Sequence, residues 1–522
     1  MPTVSYGWLS AILLGTFAYI LRQRSRGQRK QQCPPGPPTS WGGLKLKVEL
    51  PKQYPWLTYA KWKGIYGDIV FLNIFRNPVL VLNSAEAAQD LLEKRSAIYS
   101  SRPVRTMQAE LMGFGFLFSG LPYNAWYKQH RNMFHKHFQP KVVPEYHAIQ
   151  LKHARILLRN LLHDHSNLDH HIRRTTAAIV LEISYGHHVA DQGDEYVTLA
   201  DKALFGVTQS GVFGTYMVDY VPLLKHVPAW MPGAEFKRNA RKWRTLATQM
   251  LNRPFEMVKE RMESGTAEGC MITTELESWF REGIDNDKSR GTVIKDVAAT
   301  AYAAGSDTTL STLATFFLAM VLYPSVQEKA RDEIFKHIPC GERLPSFGDR
   351  GDGQLSYIDY VIWESLRWHP VVNISLAHYI EERNDEYRGY TIPKGTTVLG
   401  NIWAITHDAA VYPDPEKFDP ERFVNTRVNE EQGINPIPEV VFGFGRRVCP
   451  GRFLALDTIW IVIASVLAVY RISKTVDDDG NEVEPNVEYT SGLFSRPKPF
   501  EFRLTPLSDG ATTLIAQTVT DA

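Results

Sequence analysis

Residues 442–451 read FGFGRRVCPG and place a single cysteine, Cys449, in a short loop before an apolar helical run. Gly445 and Gly451 let this loop fold tightly and admit a flat group close to the main chain. Free backbone amides and neighbouring arginines, Arg447 among them, would stabilise a thiolate at Cys449. Such a thiolate is a ligand for a soft or borderline metal, whereas the alternative is a small buried cysteine beside a turn.

The loop has the pattern F-x-x-G-x-R-x-C-x-G. In this it resembles the haem-binding loop of the cytochrome P450 family. The resemblance implies that Cys449 is the axial ligand of the iron in haem b. It also implies that Arg447 binds a haem propionate and that Phe442 and Gly451 belong to the haem pocket.

Two further motifs support the same resemblance. Glu364 and Arg367 stand three residues apart in a predicted helix, and residues 420–423 read PERF. Taken alone, an i, i+3 pair is a surface ion pair of small energetic weight. The resemblance implies instead that Glu364, Arg367 and Arg422 form a buried network that supports the cysteine loop.

A polar stretch interrupts the long apolar run 295–322, where residues 304–309 read AGSDTT. A buried acid and hydroxyl are costly unless hydrogen-bonded, and bonding back to a carbonyl or reaching solvent would satisfy them. The resemblance implies that Asp307 and Thr308 are catalytic and supply protons for the cleavage of dioxygen. Gly305 would let the helix open locally to admit oxygen and water.

Other residues are implied to hold the haem. Arg131 matches the arginine of the family's W-x-x-x-R motif, but the residue four positions earlier is Tyr127 and the tryptophan is Trp126. Either aromatic ring could therefore reach a propionate. His378 matches a basic position of the family, although a lone histidine is more often structural.

The resemblance also implies an apolar, partly aromatic substrate pocket. Asn373 either orients a polar group of the substrate or satisfies the backbone of its loop. The candidate pocket residues are Phe114, Phe116, Ala304, Val372, Asn373 and Phe494.

The amino terminus predicts a membrane anchor. Residues 4–21 form an uncharged apolar run that approaches the thickness of a bilayer, and basic residues follow it. A cleaved signal peptide is the alternative, but it would carry its positive charge before the apolar run. We expect residues 22–40 to be a basic and proline-rich linker, and residues 41–522 to be the catalytic domain on the cytosolic face of the endoplasmic reticulum membrane.

Composition and periodicity predict one large, mainly α domain with small peripheral β-sheets. The 58 basic and 57 acidic residues nearly cancel, which argues against a nucleic-acid-binding protein. Two polar stretches, 264–291 and 424–438, are predicted as surface loops. Helices are predicted at 85–94, 126–137, 155–162, 175–185, 295–322 and 458–470, and strands at 69–74, 79–82 and 396–399.

The resemblance implies a haem-thiolate monooxygenase that hydroxylates or epoxidises a lipophilic small molecule with O2 and electrons from NADPH. Residues 363–451 look particularly like fungal members that act on secondary metabolites such as terpenoids, polyketides or aromatic compounds. The chain has no G-x-G-x-x-G dinucleotide-binding motif, so the electrons would come from NADPH-cytochrome P450 reductase. Cytochrome b5 is a second candidate partner.

Two other functions stay open. The first is a P450-type isomerase or dehydratase that needs no external electrons. Asp307 and Thr308 argue against it, because such chemistry does not require delivered protons. The second is a non-catalytic membrane-anchored scaffold, which the complete set of motifs disfavours.

Overall fold

Helices make up most of the computed structural model, which describes residues 32–40, 45–46, 50–51, 53–211, 214–282, 288–424 and 438–518. The α-helices are α1 (Pro55–Tyr66), α2 (Ala85–Ala88), α3 (Ser96–Tyr99), α4 (Ala125–Phe138), α5 (His147–His163), α6 (Leu168–Tyr185), α7 (Glu195–Ser210), α8 (Met217–Tyr220), α9 (Glu235–Glu263), α10 (Met271–Arg281), α11 (Lys288–Leu322), α12 (Pro324–His337), α13 (Ser356–Trp368), α14 (Ile402–Thr406), α15 (Arg452–Val469) and α16 (Asp509–Gln517). Short 3-10 or π turns lie at Gln89–Lys94, Thr106–Leu111, Phe118–Gly120, Val143–Tyr146, Pro222–His226, Phe347–Gly353, Pro420–Phe423, Glu439–Phe442 and Gly445–Arg447.

Helix α11 is the centre of the helical part and contacts α4, α6 and α15. It is apolar around most of its circumference, which is typical of a helix buried on all sides. Among the described residues, Ser289–Leu322 and Arg452–Val469 are long and apolar enough to cross a bilayer, and most of each is buried inside the protein. These two helices are therefore core helices of the domain.

The β-sheets are small and lie beside the helices. Their strands are β1 (Thr39–Ser40), β2 (Lys45–Leu46), β3 (Ile69–Ile74), β4 (Asn77–Leu82), β5 (His378–Tyr379), β6 (Asp385–Tyr387), β7 (Tyr390–Ile392), β8 (Thr397–Gly400), β9 (Tyr470–Ser473), β10 (Thr475–Val476), β11 (Glu482–Val483) and β12 (Arg503–Pro506). The largest sheet has the order β3-β4-β8-β5, in which only the β4–β8 pairing is parallel. Val81 of β4 pairs with Leu399 of β8. The predicted fold class, mainly α with small sheets, is confirmed.

The proline-rich half of the predicted linker lies on the globular domain. Pro34 and Pro37 are buried, and the backbone N–H of Phe71 in β3 donates to the Pro35 carbonyl at 2.8 Å. The segment therefore adds to the edge of a sheet. The predicted anchor, 4–21, and the basic part of the linker up to residue 31 lie outside the described residues.

The prediction of a continuous loop over 264–291 was wrong, because α10 occupies its centre. Met271, Ile272 and Leu276 are buried and form the apolar stripe by which this helix packs on the core. The backbone N–H of Cys270 donates to Thr273 Oγ1 at 2.8 Å and closes the amino-terminal end of α10. For the second predicted loop, residues 425–437 lie outside the described residues.

Candidate active site

The Cys449 loop leads into α15 and is held by its own backbone. The N–H of Cys449 donates to the carbonyl of Phe442 at 2.7 Å. Gly445 has a φ of +50°, and a Cβ at this position would lie 2.4 Å from the Leu92 carbonyl oxygen. Any other residue would therefore clash with the backbone at Leu92.

A cavity of about 440 Å³ lies between this loop and α11. Cys449, Phe442 and Gly451 form part of its wall on the loop side. On the helix side, the wall includes Ala304, Gly305 and Thr308. The structure thus brings together the loop and the centre of α11, which are far apart in sequence.

The cysteine side chain is partly exposed and contributes to the cavity wall. Burial raises the pKa of the Cys449 thiol, while the N–H of Gly451 and the charges of Arg131 and Arg452 act in the opposite direction. The protein thus offers the thiolate donors and positive charge. A bound metal cation would favour the thiolate further.

Arg447 and Tyr127 form one side of the cavity. Arg447 donates from Nε to the Ser100 carbonyl and from Nη2 to the Leu121 carbonyl, both at 2.6 Å. Its guanidinium lies 3.7 Å from the centre of the Tyr127 ring. Tyr127 lines the cavity, whereas Trp126 contacts His130 with ring centres 4.7 Å apart.

Arg131 and His378 also line the cavity. Arg131 Nη1 donates to the Val448 carbonyl at 2.7 Å. His378 Nδ1 donates to the Tyr99 carbonyl at 2.8 Å, and burial followed by the charge of Arg102 lowers its pKa well below the ordinary value. The imidazole of His378 is therefore neutral at physiological pH.

Arg102 is a cavity residue that the sequence analysis missed. Its Nη1 donates to the carbonyls of Leu376 and Ala377 at 2.6 and 2.8 Å, and its Nε to that of Ser119 at 3.2 Å. Burial, with the nearby charge of Arg447, lowers its pKa to about 9. Nothing in the sequence around Arg102, which stands between Ser101 and Pro103, indicates that its side chain lies in a cavity wall.

These cations fit a flat group with two carboxylates. The hydrogen bonds of Arg102, Arg131 and Arg447 described above all go to backbone carbonyls, so none of these bonds neutralises a charge. Burial lowers the pKa of Arg447 to about 10, and its Nη1 is buried without a hydrogen-bond partner. A buried donor without a partner is rare, and a propionate would satisfy both its charge and its donor. The donor set therefore fits haem.

Hydrogen bonds join Glu364, Arg367 and Arg422. Glu364 and Arg367 of α13 are fully buried and joined by two hydrogen bonds of 2.7 and 2.8 Å. Arg422 Nε donates to Glu364 Oε1 at 3.2 Å, and the backbone N–H of Asp419 donates to the same oxygen at 2.7 Å. Arg367 also donates to the Thr406 carbonyl at 3.1 Å. The network thus joins α13 to the segments around residues 406 and 417–422.

The acid and the alcohol of α11 point to different surroundings. The Thr308 hydroxyl lines the cavity side and donates to the Ala304 carbonyl at 2.8 Å. Asp307 was predicted to supply protons to the site, but in the structure its carboxylate pairs with Arg173 of α6. Arg173 contacts Asp201 of α7 as well, at 3.1 Å.

Most of the predicted substrate pocket lies on the cavity wall. Phe114, Ala304, Val372 and Phe494 line it. Phe116 and Asn373 do not, contrary to the prediction. Phe116 lies against Phe114, with ring centres 5.8 Å apart. Asn373 is buried, and its backbone carbonyl accepts from the N–H of Trp403 at 3.2 Å.

Comparison with known proteins agrees with this site. The sequence model of the family described as Cytochrome P450 matches residues 34–504. A cytochrome P450 monooxygenase of Armillaria gallica is 38% identical over 98% of this chain and 99% of its own length. Cytochrome P450 monooxygenase 98 of Postia placenta is 40% identical over 97% and 96%, and the tryptamine 4-monooxygenase of Psilocybe cyanescens is 34% identical over 95% and 97%.

The fold is also found among solved structures. A zebrafish cytochrome P450 solved with abiraterone superposes with a TM-score of 0.69 at 21% identity, covering 87% of this chain and all of that one. At this identity the comparison supports the fold alone. Together with the family match over residues 34–504 and the fungal relatives named as monooxygenases, it shows that the chain belongs to the cytochrome P450 family and is a monooxygenase.

Proposed function

We propose that the chain is a haem-thiolate monooxygenase with Cys449 as the axial ligand, and that it hydroxylates or epoxidises a lipophilic small molecule, such as a fungal terpenoid, polyketide or aromatic metabolite. The observation that carries this proposal is the cavity that Cys449 shares with Thr308 and with a group of buried cations. When bound there, haem supplies the iron that activates dioxygen for insertion into the substrate.

The cations hold the haem carboxylates. Arg102, Arg131 and Arg447 are oriented by backbone carbonyls, so little side-chain entropy is lost when an anion arrives. The Nη1 of Arg447, which is buried without a hydrogen-bond partner, would donate to one propionate of a bound haem. Neutral His378 and Tyr127 stand in the same wall, with their protons directed to the backbone carbonyls of Tyr99 and Arg446.

The Thr308 hydroxyl handles protons on the other side of the cavity. Its proton is directed at the Ala304 carbonyl, so Oγ1 is oriented to accept a hydrogen bond from a water molecule in the cavity. The hydroxyl thereby orders that water and can pass on a proton when its bond to Ala304 breaks. Asp307, which is paired with Arg173, fixes this turn of α11 against α6.

The surface behind the cysteine loop suits an acidic electron donor. Lys128 and Arg446 are exposed, and both lie over the ring of Tyr123, at 5.2 and 5.6 Å from its centre. We assign this surface to NADPH-cytochrome P450 reductase, with cytochrome b5 as a second donor. A location on the cytosolic face of the endoplasmic reticulum, anchored through residues 4–21, is consistent with such partners.

The test is the carbon monoxide difference spectrum of the ferrous protein. Wild type is expected to show the strongly red-shifted Soret band of thiolate-ligated haem. Cys449→Ala should lose that band, whereas Cys340→Ala, at an exposed cysteine, should keep it. A wild-type protein without haem, or a band that survives Cys449→Ala, would overturn the proposal.

A further inference from the structure

Arg105 is a cavity residue that the haem site does not use. It lies three residues after Arg102, but the two side chains reach different parts of the protein. Arg102 donates to the carbonyls of Leu376 and Ala377. Arg105 Nη2 donates instead to the Ser210 carbonyl at 3.1 Å, to Ser210 Oγ at 3.3 Å and to the Gly211 carbonyl at 2.8 Å.

The end of α7 fixes the orientation of Arg105. Ser210 is the last residue of α7, and Gly211 follows it with a φ of +61°. Carbonyls at the carboxyl end of a helix carry partial negative charge and stabilise a cation. With Nη2 held there, Arg105 Nε is buried and has no hydrogen-bond partner, and Arg105 is part of the cavity wall. One donor of a rigidly held cation is therefore free.

Asp219 of α8 is the acidic group near Arg105, but it does not satisfy that donor. Burial lowers the pKa of Arg105, and the charge of Asp219 acts in the opposite direction. Asp219 Oδ1 accepts from the backbone N–H of Met107 at 2.9 Å, while Oδ2 is buried without a partner. The two side chains thus interact through space, and the guanidinium stays charged at neutral pH.

The surroundings of Arg105 are otherwise apolar. Ala109, Phe114, Leu204 and Val207 line the same cavity, and Gln108 adds one amide. Arg105 is held apart from the haem cations, because it is bound by the end of α7, whereas Arg102 is bound by the carbonyls of residues 119, 376 and 377. A buried cation with a free donor in an apolar cavity favours an anionic oxygen.

We propose that Arg105 recognises a carboxylate on the substrate, so that lipophilic carboxylic acids are the preferred substrate class. The proposal rests on the function proposed above, because it takes the cavity to be the substrate site. Arg105 acts here as a specificity-determining residue. Its Nε donates to one carboxylate oxygen, and its apolar neighbours contact the carbon skeleton.

The test compares two probes with the same carbon skeleton, decanoate and decan-1-ol, by equilibrium dialysis against the full-length holoprotein. Without a specific contact for the carboxylate, decanoate should bind more weakly than decan-1-ol, because water solvates the ionised acid better than the alcohol. Wild type is expected to bind decanoate about tenfold more tightly than decan-1-ol. Arg105→Gln should remove this preference and leave the affinity for decan-1-ol within about twofold.

Two variants serve as controls. Arg105→Lys keeps the charge and should keep a preference for the acid. Arg241→Gln makes the same charge change at an exposed position on α9 and should behave as wild type. Equal binding of the two probes by wild type, or a preference that survives Arg105→Gln, overturns the proposal. If Arg105→Gln does not fold, equal binding of the two probes by wild type, or a loss of the preference in Arg105→Lys, overturns the proposal.

The carbon monoxide spectrum is recorded on the same samples. A normal thiolate spectrum with no preference for decanoate overturns the role of Arg105 alone. An absent spectrum overturns the proposed function.

Discussion

Arg173 of α6 forms an ion pair with Asp307 of α11, and this contact directs the Asp307 carboxylate away from the cavity that the next residue, Thr308, lines. Both partners are largely buried, with side chains 17% and 14% exposed. The carboxylate therefore serves first as the counter-ion of a buried arginine. Thr308 and its neighbour Thr309 are the hydroxyl residues of this turn that line the cavity.

We predict that Asp307 and Arg173 are energetically coupled. Asp307→Asn should lower the free energy of unfolding by about 1–3 kcal/mol, because it leaves a largely buried cation with one partner fewer. Arg173→Gln should lower the free energy of unfolding by a similar amount. The double variant should lower it no more than either single variant does. Urea unfolding of all four proteins, followed by circular dichroism, measures the coupling.

Asp201→Asn is the matched control for this cycle. Asp201 is the second partner of Arg173, but its side chain is 42% exposed. Removing its charge should therefore lower the free energy of unfolding by less than Asp307→Asn does. Additive losses for Asp307→Asn and Arg173→Gln would show that the pair does not act as a unit.

The buried network on α13 should be essential for stability. Glu364→Gln removes the charge that faces both Arg367 and Arg422, and we expect a loss of about 3–5 kcal/mol, as for a broken buried ion pair. Haem content per protein should fall as well. Glu416→Gln, at an exposed glutamate nearby, is the control and should leave the urea midpoint unchanged. A normal midpoint and haem content in Glu364→Gln would contradict this prediction.

Local sequence patterns were sufficient to predict part of this structure. The apolar runs that became α11 and α15 are long, with Asp307 as the one charge within 297–322 and none within 458–469, so both were predicted as helices. The residue types of the 442–451 loop predicted its position beside a cavity. Glu364 and Arg367 were assigned to a buried network through the family resemblance, because their spacing alone indicates a surface ion pair.

Tertiary contacts determined the rest. Nothing near Arg102 or Arg173 in sequence indicates a partner, because their contacts lie at residues 376–377 and 307. Asp307 was given a catalytic role through the family resemblance, and its pairing with Arg173 was missed because a single sequence does not show where a neighbouring helix places an arginine. Helix α10 was missed because polar residues alternate with its buried apolar ones, and two of these polar residues, Thr273 and Glu275, are buried as well.

Helix α10 should contribute a pH-dependent stability through Glu275. Burial raises the pKa of Glu275, but hydrogen bonds from His137 and Lys136 outweigh it and hold the pKa at about 2, below the ordinary 4.5. Because the pKa is lowered in the folded state, the stabilisation is complete above pH 4.5 and is lost as the pH falls towards 2. Glu275→Gln should therefore flatten the acid side of the stability profile.

The measurement is the urea midpoint at a series of pH values on the acid side. Glu277→Gln, two residues further along and exposed, makes the same change of charge and should keep the wild-type slope. An identical acid slope in wild type and Glu275→Gln would exclude Glu275 as the titrating group.

Gly305 has a packing role that the sequence did not indicate. Helix α11 runs through it without interruption, and a Cβ at this position would lie 2.7 Å from Val180 Cγ2 of α6. Valine has few alternative rotamers, so the two helices must shift. Gly305→Ala should lower the free energy of unfolding by about 1–2 kcal/mol, because the overlap outweighs the higher helix propensity of alanine.

Testing Gly305→Ala in a Val180→Ala protein distinguishes the close contact with Val180 from a need for local flexibility at Gly305. In a Val180→Ala protein the overlap is absent, so adding Gly305→Ala should be neutral or stabilising, as measured by urea unfolding. If the glycine is there to let the helix open, turnover should fall equally in both backgrounds. A destabilisation by Gly305→Ala that persists without the Val180 side chain would show that the close approach of α6 and α11 is not the reason for this glycine.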